Sequence, residues 1–161
     1  MPINAVSRPI EILLIEDNPG DVRLTKEALR MAKTPNHIRV AEDGIQALEM
    51  LFRQGEYARD PLPDLILLDL NLPRKDGRDL LKEIKADPTL RRIPVIVFTT
   101  SRAELDIAWA YDMQANCYIV KPMDFQQFMK VARAIEEFWL NTARLPLEKE
   151  TRRTVLGIPV E

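Results

Sequence analysis

The chain is poor in features that mark several large protein classes. It has one cysteine, Cys117, among 161 residues, so an internal disulfide is impossible. That cysteine lies in a strand-like run and reads as a small apolar side chain rather than a nucleophile. No apolar stretch approaches the ~18 residues that a membrane-crossing helix needs. The start, Met1-Pro2-Ile3-Asn4, lacks a basic segment followed by an apolar core, the pattern that directs export. Neither sign of charge dominates: 23 Lys+Arg against 25 Asp+Glu leave a net charge of −2, which gives no electrostatic reason to expect nucleic acid. Repeats and low-complexity tracts are absent. What remains is an ordinary globular composition, 46% hydrophobic and 30% charged, at a length that suits one domain. The expected location is the cytoplasm, with no membrane partner.

Four apolar runs carry the architecture. Ile12-Leu13-Leu14-Ile15 ends in Glu16-Asp17, and Leu65-Ile66-Leu67-Leu68 ends in Asp69. Val95-Ile96-Val97-Phe98 ends in Thr99-Thr100-Ser101, and Cys117-Tyr118-Ile119-Val120 ends in Lys121-Pro122. Runs without polar alternation suit strands of a parallel sheet covered on both faces. Side by side they gather three acids, a hydroxyl and an ammonium at the carboxyl edge, where open parallel sheets bind ligands. Three carboxylates there repel one another unless a cation sits among them, so a divalent metal is implied.

Strand patterns at 10–16, 37–41, 65–69, 94–98 and 117–120 alternate with helix patterns. Asn18-Pro19 reads as a cap followed by proline at the first helical position, opening a helix to about Lys33 with Val22, Leu24, Ala28, Leu29 and Ala32 turned partly inward. Asp43-Gly44 opens a second helix to about Arg53, bearing Ile45, Leu48, Leu51 and Phe52. A third starts near Gly77 and stops before Asp87-Pro88. Ser101-x-x-Glu104 has capping-box spacing and predicts a helix to about Asp112. Asp124 caps a last helix to about Asn141. Five strands alternating with five helices predict a three-layer α/β/α sandwich.

Taken together, Ile12-Leu-Leu-Ile-Glu16-Asp17-Asn18, the string from Asp64 through Asp69, Asn71 and Pro73 to Gly77, Thr99, and Lys121-Pro122 resemble the receiver domain of two-component response regulators. Thr99 follows Asp69 by 30 residues and Lys121 follows Thr99 by 22. The resemblance covers residues 10–141, with an N-terminal extension at 1–9 and a tail at 142–161. It implies the flavodoxin-like strand order 2-1-3-4-5. It also implies that Asp69 accepts a phosphoryl group from a phosphohistidine on a sensor histidine kinase. Mg²⁺ (or Mn²⁺) would be held by Asp17, Asp69 and the backbone carbonyl of Asn71, with Glu16 acting through water. Lys121, preceding a cis Lys-Pro bond, would pair with Asp69 and then with the phosphoryl group. Thr99 and Tyr118 would form the switch, the hydroxyl moving to the phosphate and the ring swinging into the space it leaves. Such a protein is a phosphoacceptor with intrinsic autophosphatase activity rather than an enzyme acting on a separate substrate.

The stretch from Phe52 to Pro63 and the tail Phe138-Trp139-Leu140-Asn141-Thr142-Ala143-Arg144-Leu145-Pro146 are similar to single-domain regulators that partner phytochrome-type kinases in bacteria. That narrower likeness implies signalling without an output domain. It also implies a homodimer built on the last helices and the tail, with Trp109, Phe138, Trp139 and Leu145 as interface candidates; Trp109 packing within its own subunit is the equal alternative. Two other function classes fit less well. A haloacid-dehalogenase-type phosphohydrolase also uses a strand-end aspartate, but it needs a second acid two residues on, where this chain has Asn71. A phosphorylation-independent interaction module would leave a complete pocket idle.

Overall fold

In an all-parallel sheet helices cover both faces, so an inner strand that is apolar at each residue has both of its faces satisfied. The computed structural model describes residues 8–146. Its strands are β1 (Ile10–Ile15), β2 (Asn36–Ala41), β3 (Leu65–Leu68), β4 (Val95–Thr99) and β5 (Cys117–Val120). They form one all-parallel sheet in the order β2-β1-β3-β4-β5, the order that the receiver resemblance implies. Between them run α1 (Pro19–Arg30), α2 (Gly44–Leu51), α3 (Gly77–Ala86) and α4 (Glu104–Asp112), and α5 (Phe125–Ile135) follows β5.

Alternation along each strand divides the core in two. Leu13, Ile15, Ile66, Leu68, Val95 and Val97 face one side, where Met50, Leu51, Leu80, Leu81, Ile84 and Ala110 of α2, α3 and α4 cover them. Ile12, Leu14, Leu65, Leu67, Ile96 and Phe98 face the other, under Leu29 of α1 and Phe128 and Ile135 of α5. Each of these strand side chains is fully or almost fully buried. Truncating one to alanine is expected to cost about 2–5 kcal/mol, as deletion of close-packed methylenes does.

Four helices start on side-chain caps, and Asn18, Asp43 and Asp124 stand where the sequence predicts a helix to open, while the Asp76 cap is found only in the structure. The side chains of Asn18, Asp43, Asp76 and Asp124 accept from the backbone N–H of Asp21, Gln46, Arg78 and Gln127 respectively. The fifth does not. Ala103, in extended conformation, precedes α4 and no side chain caps it, so Ser101 stands two residues too early for a capping box. The Ser101 hydroxyl donates to Asp106 Oδ2 at 2.6 Å instead.

The ends of α1 and α5 also differ from expectation. α1 stops at Arg30, and Thr25 joins Ala28 and Leu29 as its buried residues. α5 gives way at Glu136 to a wider π-helical segment, Glu136–Thr142, in which the Ala143 N–H reaches back five residues to Phe138 O at 2.6 Å. That segment buries Leu140 and leaves Phe138 half exposed, edge-on to Trp139 with ring centroids 5.2 Å apart. Arg8, assigned by sequence to an extension, is clamped to the buried Asp64 by two bonds of 2.7 and 3.0 Å. The expectations for residues 1–7 and for the tail beyond Pro146 lie outside the described residues.

Candidate functional site

The carboxyl ends of the strands meet at one sheet edge. The ladder runs one residue past β1 and β3: Glu16 N–H donates to Ala41 O at 2.9 Å and Asp69 N–H donates to Ile15 O at 3.0 Å. Those bonds set the two acids side by side just beyond their strands. Glu16 and Asp69 are buried, while Asp17 is exposed. One carboxylate oxygen from each of the three lies within 4.8 Å of the other two.

β5 delivers the counter-charge. Lys121 N–H donates to Thr99 O at 2.7 Å, which carries the chain past β5 in register. Its ammonium is buried and donates to Glu16 Oε1, to Asp21 Oδ2 at 2.8 Å and to Asp69 Oδ2 at 3.2 Å. An ammonium has three N–H bonds and no acceptor, so these carboxylates use all of them. Burial alone would lower the affinity of Lys121 for its proton, but the Asp21 and Glu16 carboxylates outweigh it and hold the group above the usual lysine range. Burial pushes the Glu16 carboxyl up to about 7, against the pull of Lys121. No peptide bond among the described residues is cis, so the cis Lys121–Pro122 bond implied by the resemblance is not found. The lysine reaches the acids across a trans bond on its four-carbon stem.

Around this centre stand the remaining residues expected at the site. Asn71 is exposed, and its backbone N–H donates to Asp69 Oδ1 at 3.2 Å, which orients the carboxylate. Thr99 is fully buried at the end of β4, and its hydroxyl has no hydrogen-bond partner. A buried hydroxyl in that condition costs about 1–3 kcal/mol. Tyr118 is half-buried against the α3–α4 side of the core, and its hydroxyl donates to Ser101 O at 3.0 Å. Gly77, the first residue of α3, lies directly behind Asp69: a Cβ there would sit 2.4 Å from Asp69 O and 2.6 Å from Leu70 Cα. Trp109 packs on the same core as Tyr118, and Trp139 and Leu145 on the opposite one. Of the four aromatic and leucine interface candidates, Phe138 alone is classed as exposed.

Two features escape the sequence reading. Asp21, the lysine's second carboxylate partner, has the ordinary look of a first-turn helix acid; its spacing of four residues from Asp17, one helical turn, is the available signal. The other is a latch between α3 and α4. Arg78 grips Asp106 with Nε at 2.9 Å and Nη2 at 2.8 Å, and Ser101 adds its hydroxyl. The Arg78 guanidinium and then the Ser101 hydroxyl hold the Asp106 carboxyl down to about 2.

An acid ending the central strand, two acids after its neighbour, and a hydroxyl and a lysine on the next two strands define the receiver class of signalling protein. The chain belongs to the response regulator receiver domain family, whose model matches residues 12–133. It is similar to response regulator Rcp1 of Synechocystis sp., 46% identical over 138 residues that cover 86% of this chain and 94% of Rcp1. The crystal structure of the Mn²⁺-bound form of Rcp1 superposes with a TM-score of 0.85, over 86% of this chain and 99% of that one. The phosphorylated cyanobacterial phytochrome response regulator RcpA is 51% identical, with a TM-score of 0.84 and the same coverage. The bacteriophytochrome response regulator AtBRR is 40% identical, with a TM-score of 0.67 over 86% of this chain and 98% of its own.

Proposed function

We propose that this receiver is the phosphoacceptor of a two-component pair, and that Asp69 takes a phosphoryl group from a phosphohistidine on a phytochrome-type sensor histidine kinase. One observation carries the reading: the Asp69 carboxylate is packed among two further acids while a buried ammonium and an unpartnered hydroxyl border the same sheet edge. The carboxylate oxygen forms the new P–O bond as the P–N bond to histidine breaks, and the electron pair leaves with the imidazole, which takes up a proton. The product is an acyl phosphate, open to hydrolysis by water; the autophosphatase activity expected of the family is that second step.

The acid set suits a hard divalent ion. Glu16, Asp17 and Asp69 supply clustered oxygens with two of the three carboxyls buried, and the backbone carbonyl of Asn71 would complete the set. Mg²⁺ or Mn²⁺ held by these four residues supplies positive charge where a phosphoryl group of about −1.5 to −2 arrives. The protein's own groups do the rest. Asn71 N–H aims the carboxylate, Lys121 exchanges its bond to Asp69 for one to a phosphoryl oxygen, and Thr99 donates its free hydroxyl. Movement of Thr99 vacates space beside Tyr118, whose ring abandons the Ser101 carbonyl and turns inward.

The RcpA and AtBRR likenesses support a phytochrome-type kinase as donor and a response carried by protein contacts. A cytoplasmic location agrees with them, and no described helix is long and apolar enough to cross a membrane. Residues 142–161 serve as a dimerisation arm in this reading, and exposed Phe138 marks the edge of the contact between two copies. Incubation with a small acyl-phosphate donor and Mg²⁺ tests the centre of it. The wild type should be labelled and Asp69→Asn left unlabelled; equal labelling of both would overturn the assignment.

A further inference from the structure

Lys121 holds three carboxylates, and each has a different status. Asp69 is the proposed acceptor, and Glu16 belongs to the acid cluster that suits a cation. Asp21 belongs to neither: it touches the ammonium at 2.8 Å and lies outside the cluster of Glu16, Asp17 and Asp69. Its backbone is fixed by local structure. Asn18 caps α1 by accepting from Asp21 N–H at 3.1 Å, Pro19 starts the helix, and Val22 N–H donates to Asn18 O at 3.0 Å. The carboxylate sits at the helix N-terminus, where the backbone dipole favours negative charge. With its side chain 24% exposed against 3% for Lys121, Asp21 also screens the ammonium from solvent.

We infer that Asp21 is a positioning residue for Lys121, an assignment that rests on Asp69 being the phosphoacceptor. A lysine ammonium on four rotatable bonds has no preferred direction of its own. Glu16, just past the end of β1, and Asp21, in the first turn of α1, fasten two of its N–H bonds and leave one for Asp69. When Asp69 becomes an acyl phosphate its oxygens lose their negative charge. The third N–H then passes to a phosphoryl oxygen while the other two stay where they are. Removing Asp21 frees the ammonium to settle wholly on Glu16 and Asp69, off the line that the phosphoryl oxygen needs.

Two variants and two readouts test this. Asp21→Ala removes the acceptor, and Asp21→Asn keeps an oxygen in its place without the charge. The first readout is the ¹⁵N NMR signal of the Lys121 ammonium in the unphosphorylated protein, which needs no phosphodonor. It should persist in the wild type and in Asp21→Asn, and broaden away by fast proton exchange in Asp21→Ala. The second is the labelling rate with a small phosphodonor, expected to fall about tenfold in Asp21→Ala, the worth of one charge-assisted hydrogen bond, and to recover most of that in Asp21→Asn. In a Lys121→Ala background the loss of Asp21 should change the labelling rate no further. An unaltered ammonium signal and labelling rate in Asp21→Ala, even with a lowered unfolding midpoint, would make the residue merely structural and overturn the inference. If Asp69→Asn is still labelled, the parent reading fails instead.

Discussion

Gly77→Ala adds one methyl group behind the phosphoacceptor loop. It would place carbon 2.4 Å from Asp69 O, 2.6 Å from Leu70 Cα and 2.8 Å from Leu70 O, all backbone atoms with no rotamer to escape into. Restoring ordinary contact at about 3.4 Å requires the loop or the start of α3 to retreat by roughly 1 Å. Overpacking of that kind costs about 1–3 kcal/mol. The opposing effect is the entropy that alanine removes from the unfolded chain, about 0.4–1 kcal/mol in favour of the variant. The clash wins, and the variant is expected to be about 1–2 kcal/mol less stable in urea unfolding. Displacing a reacting group by 1 Å costs on the order of 100-fold in rate, so labelling by a small phosphodonor should fall by that order. A Gly77→Ala protein as stable as the wild type and labelled at the same rate would refute the reasoning about how this loop is held.

Three other perturbations separate the parts of the site. Thr99→Val replaces an unpartnered buried hydroxyl with a methyl group, so stability in urea should rise by about 1 kcal/mol while phosphorylation no longer changes Tyr118 fluorescence; a loss of stability would show that the hydroxyl is already satisfied. Mg²⁺ at a hundred times its dissociation constant should raise the unfolding free energy by about 2.7 kcal/mol, and Asp17→Asn should shift the required concentration upward; an unchanged titration in that variant would remove Asp17 from the set. Arg78 and Ser101 hold the Asp106 carboxyl at about 2, below its free value of 3.8. Their stabilisation is therefore complete above the free value and lost as pH falls through the folded one. The difference in unfolding midpoint between wild type and Asp106→Asn should close over that interval; a difference independent of pH would show that the latch is not ionic.

The parts legible in the sequence are those decided locally. Leu65 to Leu68 suits a strand covered on both faces, and an acid directly after such a strand stands at the sheet edge. Asn18, Asp43 and Asp124 cap helices through bonds to residues three positions on. The parts that escape are decided by meetings of distant segments. Asp21 and Lys121 are 100 residues apart, and only the parallel order of β1, β3, β4 and β5 brings them within 2.8 Å. Ser101 has the spacing of a cap, yet Asp106, drawn in by Arg78 from α3, takes its hydroxyl instead. The π-helical turn at Glu136–Thr142 has the same origin. A regular helix is the local preference there, and burial of Leu140 in the core on the α1 and α5 side of the sheet accompanies the wider turn.

The most direct measurement locates the phosphoryl group itself. After brief exposure to a phosphodonor and Mg²⁺ the acyl phosphate can be trapped chemically, the chain digested, and the modified residue read by mass spectrometry. The account predicts modification in the peptide containing Asp69 and at no other carboxyl, with loss of the signal when divalent metal is chelated. Modification at Asp17 or Glu16, or none under conditions that label another receiver, would contradict it.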